Sequence, residues 1–335
     1  MTCVRAAAAI ACALLAGAAA AHHSPAAFDQ TKEVRIEGKL TKYAFNNPHT
    51  YLTVEVVGPD GAVVAQEVEA GPISTIQPLG LTRDALTVGE RVVVRAVPSR
   101  LGPGRTVLGL DVTRADGKTF PLFIQSASVR PASTALATSI AGMWHPTPKD
   151  FRALNLAIPG WPLTDAGRRE LTAARTANTT TQSECVPSGA PQLMVYPVAL
   201  SVKVDAKTVV FDIDWLEAQR VVHLDAAAHP ANLAPSLQGH SIGRWEGDTL
   251  VVDTAAFAPH AEGIGFGMPS SERKHLVERF KLDADRRHLD YEITVEDPVY
   301  LTQPASHTAR WEYSPELEPS GVPCDVEIAR RYLRD

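Results

Sequence analysis

Eleven histidines are spread through the 335 residues, and three of them, near the amino terminus, have the types and spacing that metal chemistry needs. His22 and His23 follow an alanine stretch, and His49 follows Asn47-Pro48. A chain cleaved after Ala21 begins at His22, whose α-amine and imidazole chelate one ion, with His49 supplying a third nitrogen in a T-shaped brace. Planar nitrogen ligation of this kind suits Cu(II), the strongest binder of the divalent series. Cleavage one residue earlier gives Ala21-His22-His23, whose third-position imidazole holds Cu(II) or Ni(II) with backbone nitrogens. Copper on His22, His23 and His49 is therefore the expected cofactor. The competing reading is a solvated His22-His23 tail and a His49 that only shapes the turn after Pro48. No dinucleotide fingerprint or phosphate loop is present, so no nucleotide cofactor is expected.

The second half holds His145, His223, His229, His240, His260, His275, His288 and His307. Period-two alternation puts His240, Ile242 and Arg244 on one face of a strand, and His275, Val277 and Arg279 on one face of another. If those faces line a barrel interior, His240, Arg244, Asp253 and His275, with Glu278 as a further acid, form a cluster able to bind a carboxylate or move a proton on a small, partly apolar ligand. These four are the catalytic or binding candidates. Ser241 points to the face opposite His240, so the two do not make a nucleophile and base, and neither a nucleophile elbow nor a His-Glu-x-x-His helix occurs. The competing reading is structural: Trp245-Glu246-Gly247-Asp248-Thr249 has the residues of a tight hairpin, and Arg244 covers Trp245 or pairs with an acid.

The elements that position these residues read as all-β. With 32 Lys+Arg against 38 Asp+Glu, the chain is no polyanion binder, and no nucleic-acid partner is expected. Arg5 followed by the apolar run Ala6 to Leu15 and the small residues 17–21 has the pattern of a signal peptide, cut near Ala20 or Ala21. A lipoprotein site at Ala9-Ile10-Ala11-Cys12 is the other possibility. The expected mature protein is periplasmic or extracellular, has no transmembrane segment and keeps two cysteines, Cys185 and Cys324, expected as a disulfide. Alternating stretches from Val34, Thr50, Ala62, Arg91 and Thr106, with a helical turn at 73–77, give the order of a five-stranded barrel of the OB type over 22–124. Ser/Ala/Pro-rich residues 125–140 read as a linker. Beyond them, Asp165 to about Ala177 reads as the one helix, capped by Thr164, and about eight short strands form an antiparallel barrel over 141–335.

Gly142-Met143-Trp144 followed late by Arg310 resembles lipocalin-like barrels, in which an early Trp packs under a late Arg. More extensively, Ala21-His22-His23-Ser24, Asn47-Pro48-His49, the run Gly239 to Thr254 (GHSIGRWEGDTLVVDT), His275 to Phe280 and Glu296-Asp297-Pro298 resemble a group of exported bacterial two-domain proteins whose domains are of unknown function. That resemblance implies export and two domains, with no activity attached. Where the group often has Gly-Arg before a His-Pro step, this chain has Ala227-Ala228-His229-Pro230, which argues against a binding role for that loop. Three functions stay open: an exported metal- or small-ligand-binding protein, a barrel enzyme or binding protein for a small compound, and an interaction protein of the cell envelope without a catalytic site.

Overall fold

The structure is a computed structural model that describes residues 28–123, 133–174 and 181–330. His22 and His23 lie outside the described residues, as does the cleavage region.

In the first domain the alternating stretches form β1 (Val34–Ala44), β2 (Thr50–Val57), β3 (Val63–Ala70), the helical turn α1 (Ile73–Ile76), β4 (Arg91–Val97), β5 (Val107–Arg114) and a short β6 (Thr119–Pro121). The sheet runs β3-β2-β1-β4-β5-β6, and a parallel pairing of β3 with β5 closes five strands into the OB-type barrel read from the sequence. Leu40, Leu52, Val54, Val68, Val94 and Val112 fill it and are wholly buried. The strand β6 and its partner β5 were not legible as a pair, because three residues are too few to display a period.

The second domain begins before its first strand, since Ala137 and Ile140 are buried in its core. β7 (Gly142–His145) is followed by two helices rather than one: α2 (Pro148–Ala157) and α3 (Asp165–Ala174). Thr147 and Asp150 cap α2 reciprocally, with Pro148 in its first turn. That capping box is a sequence signal in its own right. Then come β8 (Leu200–Val204), β9 (Thr208–Ile213), β10 (Ala218–His223), β11 (His240–Glu246), β12 (Thr249–Ala255), the separate hairpin β13 (His260–Gly265) and β14 (Met268–Ser270), β15 (His275–Leu282), β16 (His288–Glu296), β17 (Ala305–Tyr313) and the turn α4 (Val326–Ala329). Nine of these strands, β7 to β12 and β15 to β17, close a barrel. All neighbours are antiparallel except β10 and β11, which run parallel and share only Val222↔Ser241 and His223↔Ile242. Gly247 turns the β11–β12 hairpin at φ +63°, as the Glu-Gly-Asp sequence requires.

The barrel interior is solid. Phe211, Phe280, Tyr291 and Trp311 pack ring on ring, with centroids 4.9 Å apart for Phe211 and Phe280 and 4.8 Å for Phe280 and Tyr291. Trp144 packs on Tyr313 and donates to the Ile140 carbonyl, while Arg310 pairs with Asp283, Asp285 and Asp290, so the Trp-under-Arg arrangement of lipocalins is absent.

The two domains are joined by the carboxy-terminal segment. Asn47, beside the cis peptide to Pro48, donates from Nδ2 to the Val322 carbonyl and accepts from Ile73 N–H at Oδ1, while its own carbonyl accepts from Asp325 N–H. Cys324, next in line, is bonded to Cys185 as expected from the sequence. Among the described residues, no helix is long and apolar enough to cross a membrane.

Candidate functional site

Parity placed His240, Ile242 and Arg244 together correctly, but on the outside. The inward positions of the same strands are Ser241, Thr254, Leu276, Glu278 and Phe280, all buried. Glu278 is thus no partner of the histidines: it accepts from both terminal nitrogens of Arg220 (2.8 and 2.5 Å) and from Tyr291 Oη (2.5 Å). Ser241, Thr254 and Arg220 complete that internal network. Burial opposes the Arg220 charge, and Glu278 outweighs it and holds the guanidinium protonated.

On the outer face three of the four candidates converge. His240 opens β11, Asp253 sits on β12 opposite Ile242, and His275 opens β15 opposite Glu296. His275 Nε2 lies 3.1 Å from both Asp253 oxygens. The link to His240 is His229, from the connection between β10 and β11: its Nε2 is 2.8 Å from Asp253 Oδ1 and its Nδ1 is 2.9 Å from His240 Nδ1. His223, at the end of β10, stacks on His240 with ring centroids 5.1 Å apart and planes 16° apart. The departure Ala227-Ala228-His229-Pro230 therefore leaves the loop with its essential side chain. Arg244 stands apart, about 13 Å along the strand from His240, and bonds Glu246, which also receives Arg279.

The hydrogen bonds fix each tautomer in turn. Asp253 is an acceptor only when ionised, so both His229 and His275 must donate to it from Nε2. His229 then has a bare Nδ1, which must accept from Nδ1–H of His240. That leaves the Nε2 lone pair of His240 unprotonated. Burial favours the ionised form of Asp253 less, yet the His229 and His275 bonds win and lower its pKa. Partial burial, then the neighbouring His223 and His229, lower that of His240 and so favour its neutral form.

His240 and His223 stand on the rim of a cleft of about 440 Å³. It opens where the segment Ser236–Gly239 diverges from β10, ahead of the two-residue ladder between β10 and β11. Val221 and Leu237 form apolar walls, and Arg220 and Gln238 line it too. Arg220 Nε and Gln238 Oε1 have no partner among the described residues, but both atoms are closed off from the cleft, Arg220 Nε inside the barrel.

In the first domain His49 is half-buried, with Nδ1 3.0 Å from Glu69 Oε1. Tyr51, two residues on and on the same side of the strand, is only 4% exposed. Among the described residues, no three His, Cys, Asp or Glu side chains converge as a metal-binding group.

No curated protein matches the chain. Residues 9–108, the first barrel as far as the start of β5, match the model of a family of unknown function, DUF6152.

Proposed function

We propose that the chain is an exported protein whose second domain binds a small, partly apolar acid in the outer cleft, with His240 as the group that accepts its proton. The observation that carries this reading is the tautomer chain Asp253–His229–His240, which leaves an unprotonated Nε2 on a histidine at the rim of a cleft lined by Val221, Leu237 and Gln238. A general base needs a pKa below the working pH and a fixed lone pair, and both are favoured here. His240 takes a proton at Nε2, and His229 and Asp253 stabilise the resulting imidazolium through bonds that are already formed. Val221 and Leu237 suit a short apolar body. The leader-like residues 1–21 and the Cys185–Cys324 bond support export.

Titration with benzoate and 4-hydroxybenzoate, followed by imidazole nitrogen resonances, tests this. Saturable binding that shifts His240 Nε2 and is lost in His240→Ala and Gln238→Leu is expected. Binding indifferent to both substitutions overturns it.

A second reading, copper on His22, His23 and His49, is favoured by one observation. Tyr51 pairs with Glu69, Glu69 with Leu108 and Leu108 with Val97, and Phe28 packs on Val97 and Leu108. The chain therefore enters on the face that carries His49, about two strand spacings or ~10 Å away, and six residues back to His22 span up to ~20 Å. Glu69 on Nδ1 would orient His49 as second-shell carboxylates orient metal-bound imidazoles. Intact mass of the exported protein and Cu(II) titration of the His49→Ala variant test it: a chain beginning at His22 whose affinity falls without His49 supports the brace.

A further inference from the structure

We propose that His229 and His240 are also a chelating pair for a late first-row divalent cation, Cu(II) first, with the ion displacing the proton shared by their Nδ1 atoms and sitting to one side of the line that joins them. This rests on the side chains of the cleft site described above, but not on that site's small-molecule ligand. It is separate from the amino-terminal histidines.

The two Nδ1 atoms lie 2.9 Å apart along a shared hydrogen bond, and both face one ion once each ring turns roughly 45° off that line. With metal–nitrogen bonds of about 2.0–2.1 Å, that separation subtends roughly 90° at the ion, the angle of neighbouring ligands in square-planar or tetragonal coordination. A tetrahedral site would require the nitrogens to part to about 3.3 Å. The bite therefore selects Cu(II), then Ni(II), ahead of Zn(II), in agreement with the order of intrinsic affinities. Asp253 is placed as an outer partner: it accepts from His229 Nε2–H and so presents His229 Nδ1 as a lone pair. His275 holds the other side of that carboxylate and keeps it in position. The cluster is open to incoming ions, with the side chains of His229 and Asp253 exposed by 22% and 33%. Two imidazoles supply two positions and water the others.

The proton balance has a consequence. When the ion binds, the His240 proton leaves Nδ1 and moves to Nε2, so no net proton is released while the ring is neutral. His240 then presents a donor to the cleft where it had presented an acceptor. The metal-loaded protein should prefer ligands as anions, and the metal-free protein ligands that bring their own proton.

The test is titration of the full mature chain with CuCl2, NiCl2 and ZnCl2, followed by electron paramagnetic resonance for copper and chelator competition for all three. To remove the competing amino-terminal ligands, the series is made in a His22→Ala, His23→Ala, His49→Ala background. One equivalent of axial Cu(II) with two coupled nitrogens is expected there, weakened about 10–100-fold by Asp253→Asn, lost in His229→Ala and in His240→Ala, and unchanged in Arg244→Ala. Circular dichroism and thermal melting confirm that each variant folds. Copper retained in the double variant His229→Ala, His240→Ala, or affinity for Zn(II) equal to that for Cu(II), overturns the proposal. Benzoate binding measured in excess chelator reports on the cleft separately: if it persists while copper fails to bind, the metal inference alone falls.

Discussion

Strands β10, β11, β12 and β15 carry two polar clusters back to back, and the clusters are built on opposite principles. Inside, Arg220, Glu278, Tyr291, Ser241 and Thr254 are sealed from water, and most of their donors and acceptors are matched. Outside, one residue away on β11 and β12 and three away on β10 and β15, His240, Asp253, His223 and His275 are part-exposed, and the bonds there pass a proton preference from Asp253 through His229 to His240. A sealed network has a single protonation state and serves the fold. A half-open one can exchange its proton with a ligand, as the proposed function requires. Side-chain alternation puts the two within one barrel wall.

The contrast can be broken most severely from the inside. Arg220→Met strands the Glu278 carboxylate and should lower stability by about 3–5 kcal/mol, read by denaturant unfolding. The further change Glu278→Gln should recover much of that loss. A second large effect comes from Lys274, neighbour of His275 in sequence but buried, with Nζ donating to the Ala190 and Gly263 carbonyls and lying over the Phe257 ring. Burial lowers its pKa from 10.5 to about 7. Between those values the unfolded chain binds a proton that the folded one does not, so stability should rise as pH increases from about 7 to 10.5. The change is on the order of 5 kcal/mol, and Lys274→Met should flatten the slope.

On the outer face the same kind of substitution should be mild in stability and specific in protonation. Asp253→Asn should cost no more than about 1 kcal/mol, yet it removes the charge and turns one of the two acceptor oxygens into a donor, so His229 is no longer held in one tautomer and the His240 Nε2 resonance should show a mixture. Loss of several kcal/mol with unchanged imidazole resonances would reverse the assignment of the two clusters. The smallest expected effect is in acid. Because the pKa of His240 is lowered in the fold, the unfolded chain takes up the proton first as pH falls below about 6.5, and stability declines there. His240→Gln should remove that component from a pH series of melting temperatures.

Much of the barrel architecture was legible because alternation and turn chemistry agreed. The run from β11 to β12 reads as a hairpin from Trp245-Glu246-Gly247-Asp248-Thr249 alone, and β16 has the span its pattern indicates. Whether a face pointed in or out was not legible. β12 is buried on both sides, Val251 outward as well as Leu250 and Val252 inward, so the alternation that marks an interior vanishes there. His240, Asp253 and His275 were found because they share a parity. His229 was missed because it lies in a connection with no period. His223 was missed because stacking of one ring on another has no sequence signal. Asn47 was read as part of a turn, and its role as the clamp on residues Val322 to Asp325 depends on contacts 275 residues away along the chain.

The parallel pairing of β10 with β11 fixes where the site can change. Antiparallel neighbours close with a turn of a few residues, whereas a parallel pair must be joined by a long excursion. Here that excursion, residues 224–239, is pinned to the barrel by the bridge between Ser236 and Phe257, and it supplies His229, Leu237 and Gln238. It spans strand ends and contributes no barrel strand. Its length and sequence can therefore drift while the nine-stranded wall keeps its register. Relatives with the same barrel and different 224–239 segments should differ in what they hold, in the way that variable loops diversify a constant framework.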